Sequence, residues 1–273
     1  ADGEAKDISH GIPFAAPMKI YAGDYDDIAD AAIIIVTAGA NQKPDETRLD
    51  LVHKNTEIYK SIIPEIASRN FAGILLIVSN PVDILTYVAL RLSGLPENRV
   101  IGSGTVLDTA RMKYALGQYL QVDSRSVHSY IVGEHGDSEI AVLSSTNISG
   151  IPLDAFCEMR GYENPREKLD EIAESVKNSA YDIIAKKQAT YYGIAMSVRR
   201  ICACIIRNER SILPVSSMMH GEYGIDDVCL STLNLVGDDG IRGKVNVPLT
   251  DEEVAKLRLS ADTLKDVIKN LEI

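Results

Sequence analysis

The clearest sign of the architecture is the run Ala31-Ala-Ile-Ile-Ile-Val-Thr37, which is rich in β-branched side chains and stops at Ala38-Gly39-Ala40. An apolar run without polar alternation is typical of a strand buried on both faces of a parallel sheet. Gly73-Ile-Leu-Leu-Ile-Val-Ser79 repeats this pattern and ends at Asn80-Pro81. Helical spacing of apolar residues follows each run, over 47–69 and 82–92, and a short strand over 99–101 precedes a helix over 107–120. This alternation predicts an α/β fold with a doubly wound parallel sheet.

From Ser126 onward the pattern changes to mixed strands and helices. Strands over 127–132 and 140–144 flank a turn rich in Gly, Asp and Glu, and further strands are predicted over 212–217 and 228–235. Helices are predicted over 165–187, 191–207 and 251–271, the last beginning at the capping box Thr250-x-x-Glu253. We therefore expect a first domain over 1–104 with the parallel sheet and a second, mixed α+β domain over 105–273.

The composition indicates a globular protein from a reducing compartment. The 273 residues are 45% hydrophobic with a net charge of −11, and they contain neither a basic stripe for nucleic acid nor a polybasic run for an anionic membrane. We find no signal peptide and no apolar stretch of the ~18 residues that a membrane helix needs. Four cysteines are too few for a disulfide framework. Cys202-x-Cys204 lies in an apolar run and is more typical of buried helix thiols than of a metal site. We expect a cytoplasmic protein without bound metal.

Three groups of residues have the chemistry of a small-acid site. His135 lies in the glycine-flanked turn Gly133-Glu-His-Gly-Asp-Ser138, and an imidazole there suits proton transfer between an alcohol and a ketone, although an ordinary hairpin histidine is the alternative. Asp108 and Arg111 are three residues apart on one helix face. Such a carboxylate orients a histidine and such a guanidinium holds a substrate carboxylate through two hydrogen bonds. The alternative interpretation is a surface ion pair. Arg48 and Asn80 follow two strands at the edge where open α/β sheets bind ligands.

Taken together, these residues resemble the L-lactate/L-malate dehydrogenase family. The order and spacing of four motifs match it, which makes the resemblance specific, and it extends over essentially the whole chain. The motifs are Thr37-Ala-Gly-Ala-Asn-Gln-Lys-Pro-Asp-Glu-Thr-Arg48, Val78-Ser-Asn-Pro-Val-Asp83, Leu107-Asp-Thr-Ala-Arg111 and Gly133-Glu-His-Gly-Asp-Ser138.

The resemblance implies an NAD-dependent enzyme that interconverts a 2-keto acid and an L-2-hydroxy acid. It implies that His135 is the general acid and base, that Asp108 orients it, that Arg111 holds the substrate carboxylate, and that Arg48 on a closing loop polarises the carbonyl. Residues 1–104 are then the remainder of a dinucleotide-binding domain, and 105–273 the catalytic domain. Further positions implied are Gln42, Asn80 and Thr190 for the substrate and Tyr25, Gly39, Ala40, Ser61, Val78, Asn80 and Ser103 for the cofactor.

Gln42 favours the lactate branch of the family, with pyruvate and L-lactate as substrates. Malate enzymes resemble this loop but carry an arginine there to pair the second carboxylate of oxaloacetate, and a neutral Gln42 would leave that charge unpaired. The malate branch and a truncated, non-catalytic fragment with a structural role remain alternatives. The resemblance also suggests a homotetramer. Fructose 1,6-bisphosphate activation would use His128 and the position of Lys113, where the activated enzymes carry an arginine.

The glycine-rich phosphate loop of the family is not found in the sequence. Gly102-x-Gly104 resembles half of such a fingerprint, but Leu107 stands in place of the third glycine, so a tight turn is the favoured interpretation. The family normally opens with a strand, this loop, a helix and a second strand, and none of these precedes Ala1. We expect that the native protein has this segment.

Overall fold

The computed structural model describes residues 1–40 and 48–271, and the predicted α/β fold class is confirmed. Helices α1 to α8 span Asp2–Ser9, Arg48–Ala67, Val82–Ser93, Val106–Leu120, Leu153–Met159, Pro165–Lys187, Tyr192–Ile206 and Asp251–Ile268. Strands β1 to β13 span Ile33–Val36, Ile74–Ile77, Val100–Gly102, Val127–His128, Ile131–Val132, Ile140–Ala141, Asn147–Ile148, Ile151–Pro152, Ser211–Leu213, Ser216–His220, Asp226–Ser231, Asn234–Gly237 and Gly240–Lys244. Single 3₁₀ turns span Ile12–Phe14, Tyr25–Asp27, Glu97–Arg99, Ser124–Ser126 and Glu222–Gly224.

The central sheet has the order β1-β2-β3-β10-β11. Strands β1, β2 and β3 are parallel, and β2 is buried along its whole length, as its unbroken apolar run predicts. The second half of the chain contributes β10 and β11, which are antiparallel, with Ser216 of β10 opposite Gly102 of β3. Helices α2, α3 and α8 contribute to the largest apolar core on this sheet. The carboxyl ends of β1 to β3 therefore lie at one edge.

Two predicted strands are each divided in the structure. The strand predicted over 212–217 is β9 and β10, and the strand predicted over 228–235 is β11 and β12. Strand β12 pairs with both β9 and β13, and these three strands form a separate sheet of order β13-β12-β9. Pro214 lies between β9 and β10, where it lacks the N–H that would continue the ladder. The chain therefore passes from one sheet to the other at both points, which the apolar pattern does not reveal.

A short antiparallel hairpin carries the turn around His135. Strand β5 pairs with β6, with Ile131 opposite Ala141 and Val132 opposite Ile140, so the turn begins and ends at fixed positions. The strands predicted over 127–132 and 140–144 are shorter than expected, because β4 belongs to another sheet with β7 and β8.

Two smaller expectations can be compared with the structure. Helix α8 begins at the predicted capping box, with the Thr250 hydroxyl accepting the Glu253 backbone N–H and the Glu253 carboxylate accepting the Thr250 N–H. Cys202 and Cys204 both lie on α7, where Cys204 is fully buried and Cys202 half-buried, and all four cysteines are free thiols. Within residues 1–40 and 48–271, none of the helices has both the length and the apolar character needed to cross a membrane.

Candidate functional site

His135, Asp108 and Arg111 form one continuous hydrogen-bonded chain. The His135 Nδ1 atom lies 2.6 Å from Asp108 Oδ2, and Arg111 Nη1 donates to Asp108 Oδ1 at 2.7 Å. Asp108 and Arg111 lie on α4, three residues apart, and His135 reaches them from the β5–β6 turn. The structure thus brings together three of the residues selected from the sequence.

This pair of contacts is not the surface ion pair that we held open as an alternative. The Asp108 side chain is 2% exposed, that of Arg111 is 16% exposed and that of His135 is 24% exposed. A buried carboxylate that is paired with two cationic partners is strongly held, because removing either partner would leave an uncompensated charge. The partial exposure of His135 leaves its ring accessible for proton exchange with a small molecule.

The electrostatics of the group favour a protonated imidazole. Burial alone lowers the pKa of His135, but the adjacent Asp108 carboxylate, with further contributions from Asp83 and Glu139, outweighs burial and raises it above its usual value. Burial likewise opposes ionisation of Asp108, yet His135 and Arg111 hold the pKa of that carboxyl below its usual range. The two shifts are consistent with an ionised Asp108 beside an imidazole that binds its proton firmly.

The turn that carries His135 is fastened from both sides. Its first residue, Gly133, exchanges two backbone hydrogen bonds with Ser231 at the end of β11. Ser260 of α8 accepts the Glu134 backbone N–H at 3.0 Å, and its hydroxyl lies 2.8 Å from that of Ser138. Gly133 has a φ of +96°, and a Cβ there would lie 2.7 Å from Ile140 Cδ1, so only glycine fits this position without displacement.

The carboxyl ends of β1 and β2 are tied together by a residue that the motifs did not single out. Asn55 of α2 is 1% exposed, and its side chain accepts the Ala40 N–H at 2.8 Å and donates to the Asn80 carbonyl at 2.8 Å. The Ser79 hydroxyl also donates to the Ala38 carbonyl at 2.6 Å. These contacts leave the Asn80 side chain exposed at the sheet edge. A polar residue at a core position of α2 is the signal that could have identified Asn55.

The other predicted cofactor positions are distributed around this edge and along α2. Val78 is half-buried directly after β2, Gly39 is exposed after β1, and Ser103 is buried after β3 with its N–H bonded to Ile77. Tyr25 is 36% exposed and lies under the Arg69 guanidinium, 5.1 Å from its ring centre. Ser61 is exposed on α2, where its hydroxyl donates to the Ile58 carbonyl.

The remaining predicted residues are Thr190, Lys113, His128, Gln42 and Arg48. Thr190 is half-buried between α6 and α7, and Lys113 is half-buried on α4, where burial lowers the pKa of its amine. His128 is exposed on β4. Gln42 lies outside the described residues, as does the side chain of Arg48, whose backbone begins α2.

Two carboxylates near His135 were not selected from the sequence. Asp83, in the first turn of α3, is 2% exposed and accepts the His135 backbone N–H at 2.8 Å. A carboxylate oxygen of Glu139, a carboxylate oxygen of Asp108 and a ring nitrogen of His135 all lie within 4.8 Å of one another. Asp83 lies in the first turn of the apolar helix Val82–Ser93, where the helix dipole favours a carboxylate, so its position in the sequence does not mark it as a site residue.

Comparison with known proteins decides the family. Residues 1–102 match the family model of the lactate/malate dehydrogenase NAD binding domain, and residues 105–272 match that of the lactate/malate dehydrogenase alpha/beta C-terminal domain. This chain belongs to the lactate/malate dehydrogenase family.

Relatives and solved structures of this family match the whole chain. It is 56% identical to an L-lactate dehydrogenase of Acetivibrio thermocellus, covering 100% of this chain and 86% of the relative, and 55% identical to one of Thermoanaerobacterium saccharolyticum, covering 100% and 88%. The crystal structure of the minor L-lactate dehydrogenase from Enterococcus mundtii in its ligands-bound form superposes with a TM-score of 0.96 at 43% identity, covering 100% of this chain and 87% of that one.

NAD is the cofactor of this family, and the described residues suit its nicotinamide end. The exposed Asn80 amide, held through its backbone by Asn55, offers both a donor and an acceptor at the sheet edge, and the Ser103 hydroxyl lies after the neighbouring strand. Amide and hydroxyl groups at the carboxyl ends of parallel strands are the chemistry that a carboxamide and a ribose require. These residues would hold that part of the cofactor.

Proposed function

We propose that this protein catalyses the reversible NADH-dependent reduction of pyruvate to L-lactate, with His135 as the proton donor and acceptor. The observation that carries the proposal is the buried chain from His135 through Asp108 to Arg111 in a member of this family. L-lactate dehydrogenases are also the curated relatives at 50–56% identity. The domain over 1–104 then supplies the remainder of the cofactor site together with Arg48, and 105–273 supplies His135, Asp108 and Arg111.

The two imidazole nitrogens have different tasks in this proposal. Nδ1 is committed to Asp108 at 2.6 Å, which fixes the ring orientation and leaves Nε2 for the substrate oxygen. When bound, NADH supplies the hydride that adds to the carbonyl carbon. His135 delivers its Nε2 proton to the oxygen in the same reduction, and the resulting charge-neutral imidazole accepts a proton back in lactate oxidation.

The guanidinium groups have separate roles in this proposal. Arg111 uses Nη1 to hold Asp108, and its remaining N–H donors pair the substrate carboxylate in the two-bond geometry that a planar guanidinium allows. Arg48 polarises the carbonyl from the first position of α2, Asn80 contacts both the substrate and the nicotinamide ribose, and Thr190 lines the pocket. Together these residues place positive charge where negative charge develops on the oxygen.

The direct test is NADH oxidation measured with pyruvate and, separately, with oxaloacetate. We expect a higher kcat/KM for pyruvate, and we expect the His135→Asn variant to lose this activity while it still binds NADH. A preference for oxaloacetate would assign the chain to the malate branch. An absence of activity with both, in protein that binds NADH, would support the non-catalytic alternative.

Gln42 determines the choice of substrate in this proposal. We expect Gln42→Arg to raise kcat/KM for oxaloacetate relative to pyruvate, because the added guanidinium pairs the second carboxylate in a site closed to water. Gln42→Lys is the matched variant, which adds the same charge without the planar fork. An unchanged preference in both variants would refute the specificity argument.

Assembly and regulation extend the same proposal. Exposed apolar side chains on α6 and α7 support a homo-oligomer, which we take to be a tetramer, and sedimentation analysis tests this. Lys113 and His128 would bind fructose 1,6-bisphosphate, and a titration that leaves the half-saturating pyruvate concentration unchanged would exclude activation. Free thiols at all four cysteines fit a cytoplasmic location. The exposed apolar side chains that support the oligomer are Tyr181, Ile183 and Ile184 on α6 and Tyr192, Met196 and Ile206 on α7.

A further inference from the structure

Asp83 is a buried carboxylate that the reaction described above does not use. It lies in the first turn of α3 and is 2% exposed. Among the described residues, it has no lysine or arginine partner, and the groups that do face it are the His135 turn, the Ser216 and Ser231 hydroxyls and the neutral thiol of Cys229. Its cationic neighbour is the imidazolium of His135, and burying a carboxylate is costly, so its presence needs a reason beyond packing.

The two oxygens of the Asp83 carboxylate accept hydrogen bonds from different groups. Oδ2 accepts the backbone N–H of His135 at 2.8 Å, across 52 residues of chain. Oδ1 accepts the Ser216 hydroxyl at 2.5 Å and the Ser231 hydroxyl at 3.2 Å. Ser216 and Ser231 lie opposite each other on β10 and β11, so the carboxylate is anchored in the central sheet. The sheet thereby fixes the main chain of the catalytic histidine through a single side chain.

Asp83 also acts on His135 through its charge. Burial lowers the pKa of His135, whereas the Asp108 carboxylate and then the Asp83 carboxylate raise it. Burial also raises the pKa of Asp83 itself, and hydrogen bonds from the serines and the His135 N–H, together with the charge of the imidazolium, offset only part of that rise. The other titratable groups that face the imidazole are Asp108 and Glu139. Asp83 is the member of this set that is bonded to the histidine backbone.

We propose that Asp83 is a positioning residue for the proton transfer: it holds the His135 main chain against the central sheet and adds a second negative charge behind the imidazole. The inference rests on the proposed function only in that His135 is the proton donor. Asp108 orients His135 through a hydrogen bond to its ring, and Asp83 orients it through a hydrogen bond to its backbone N–H. A shift of the imidazole of about 1 Å would cost on the order of 100-fold in rate.

The test uses Asp83→Asn in the full chain, with Ser216→Ala and Ser217→Ala beside it. Asparagine keeps the size of the side chain and one acceptor but removes the charge. Ser216→Ala removes one anchor of Asp83 without touching His135. Ser217→Ala is the matched control, because Ser217 is the adjacent buried serine of β10 and bonds to Asn234 and Lys244 instead.

Two measurements are made on each variant. Steady-state pyruvate reduction should show kcat lowered roughly 10- to 100-fold in Asp83→Asn, less in Ser216→Ala and not in Ser217→Ala, with the KM for pyruvate little changed. NMR titration of the His135 imidazole in cofactor-free protein, assigned with His135→Gln, should show a lower pKa in Asp83→Asn, because the loss of a negative charge destabilises the imidazolium. The high-pH limb of pyruvate reduction should move to lower pH with it.

The two possible failures can be told apart. If the wild type does not reduce pyruvate but Asp83→Asn still lowers the His135 pKa, the proposed function fails and the electrostatic coupling stands. If folded Asp83→Asn matches the wild type in kcat and in the titration, Asp83 is structural and the inference is wrong. If Asp83→Asn does not fold, equal kcat values for Ser216→Ala and Ser217→Ala overturn the inference, and a selective loss in Ser216→Ala supports it.

Discussion

Replacing Glu139 with glutamine should change how the stability of the protein depends on pH. The Glu139 side chain lies between the His135 turn and β6, and its Oε1 atom is buried without a hydrogen-bond partner among the described residues. Burial, and then repulsion from the Asp108 carboxylate, raise the pKa of Glu139 from 4.5 to about 8, although His135, Arg111 and Lys177 oppose the rise. The folded protein therefore holds a proton here at neutral pH.

The sign and size of the effect follow from this proton. Below pH 4.5 both the folded and the unfolded chain bind it, and above about pH 8 neither does. Between these values only the folded state binds it, so the free energy of unfolding falls as the pH rises, by about 1.4 kcal/mol per pH unit. Glu139→Gln has no such proton. The free energy of unfolding of Glu139→Gln minus that of the wild type should therefore increase by roughly 3 kcal/mol between pH 5 and pH 7.5.

Urea unfolding followed by far-ultraviolet circular dichroism measures this difference, since the chain has no tryptophan. Unfolding curves at four pH values between 5 and 8 give the slope of the stability difference. Glu158→Gln is the matched control for the loss of one carboxyl group, because Glu158 is an exposed glutamate on α5. A difference between Glu139→Gln and the wild type that stays constant with pH would refute the assignment of a buried proton to Glu139.

Three further substitutions test the remaining contacts. Asp108→Asn should lower kcat for pyruvate roughly 10³-fold or more, because the amide no longer stabilises the imidazolium or selects its tautomer; NADH fluorescence should show unchanged cofactor binding. Arg111→Lys should raise the KM for pyruvate at least ~10-fold through loss of the two-bond grip, which initial-rate kinetics measure, and an unchanged KM would contradict that role. Gly133→Ala should lower both the thermal midpoint and kcat, because its Cβ would meet Ile140 at 2.7 Å; differential scanning calorimetry reports the first.

Much of the local structure could be predicted from short stretches of sequence. The apolar runs over 31–37 and 73–79 became β1 and β2, and the capping box at Thr250 became the start of α8. These features are predictable because the unbroken apolar run of a strand buried on both faces and the capping of the first helical N–H groups are both patterns of neighbouring residues. The motif around His135 was found for the same reason, since glycines mark an open turn locally.

Only part of the candidate site could be predicted from local sequence patterns. Asp108 and Arg111 are neighbours on one helix, so their shared face follows from helical spacing, and the resemblance supplied His135 as their partner. Asp83 and Glu139 were passed over because their importance depends on what packs against them. A carboxylate is inconspicuous in a sequence, and its burial beside His135 becomes apparent only when α3, α4 and the β5–β6 turn are placed together.

The amino-acid sequence by itself determined the parallel strands β1 to β3, the helices between them and the turn that exposes His135, because each depends on contacts within a few residues. Tertiary structure alone decided that β10 and β11 from the distant second half extend the same sheet, while β9 and β12 belong to a separate one. Pro214 lies at the first of the two breaks, between β9 and β10. Strand pairing is a choice of partner made through backbone hydrogen bonds, which carry no side-chain signature. That pairing places Ser216 and Ser231 beneath Asp83, and with it the support of His135.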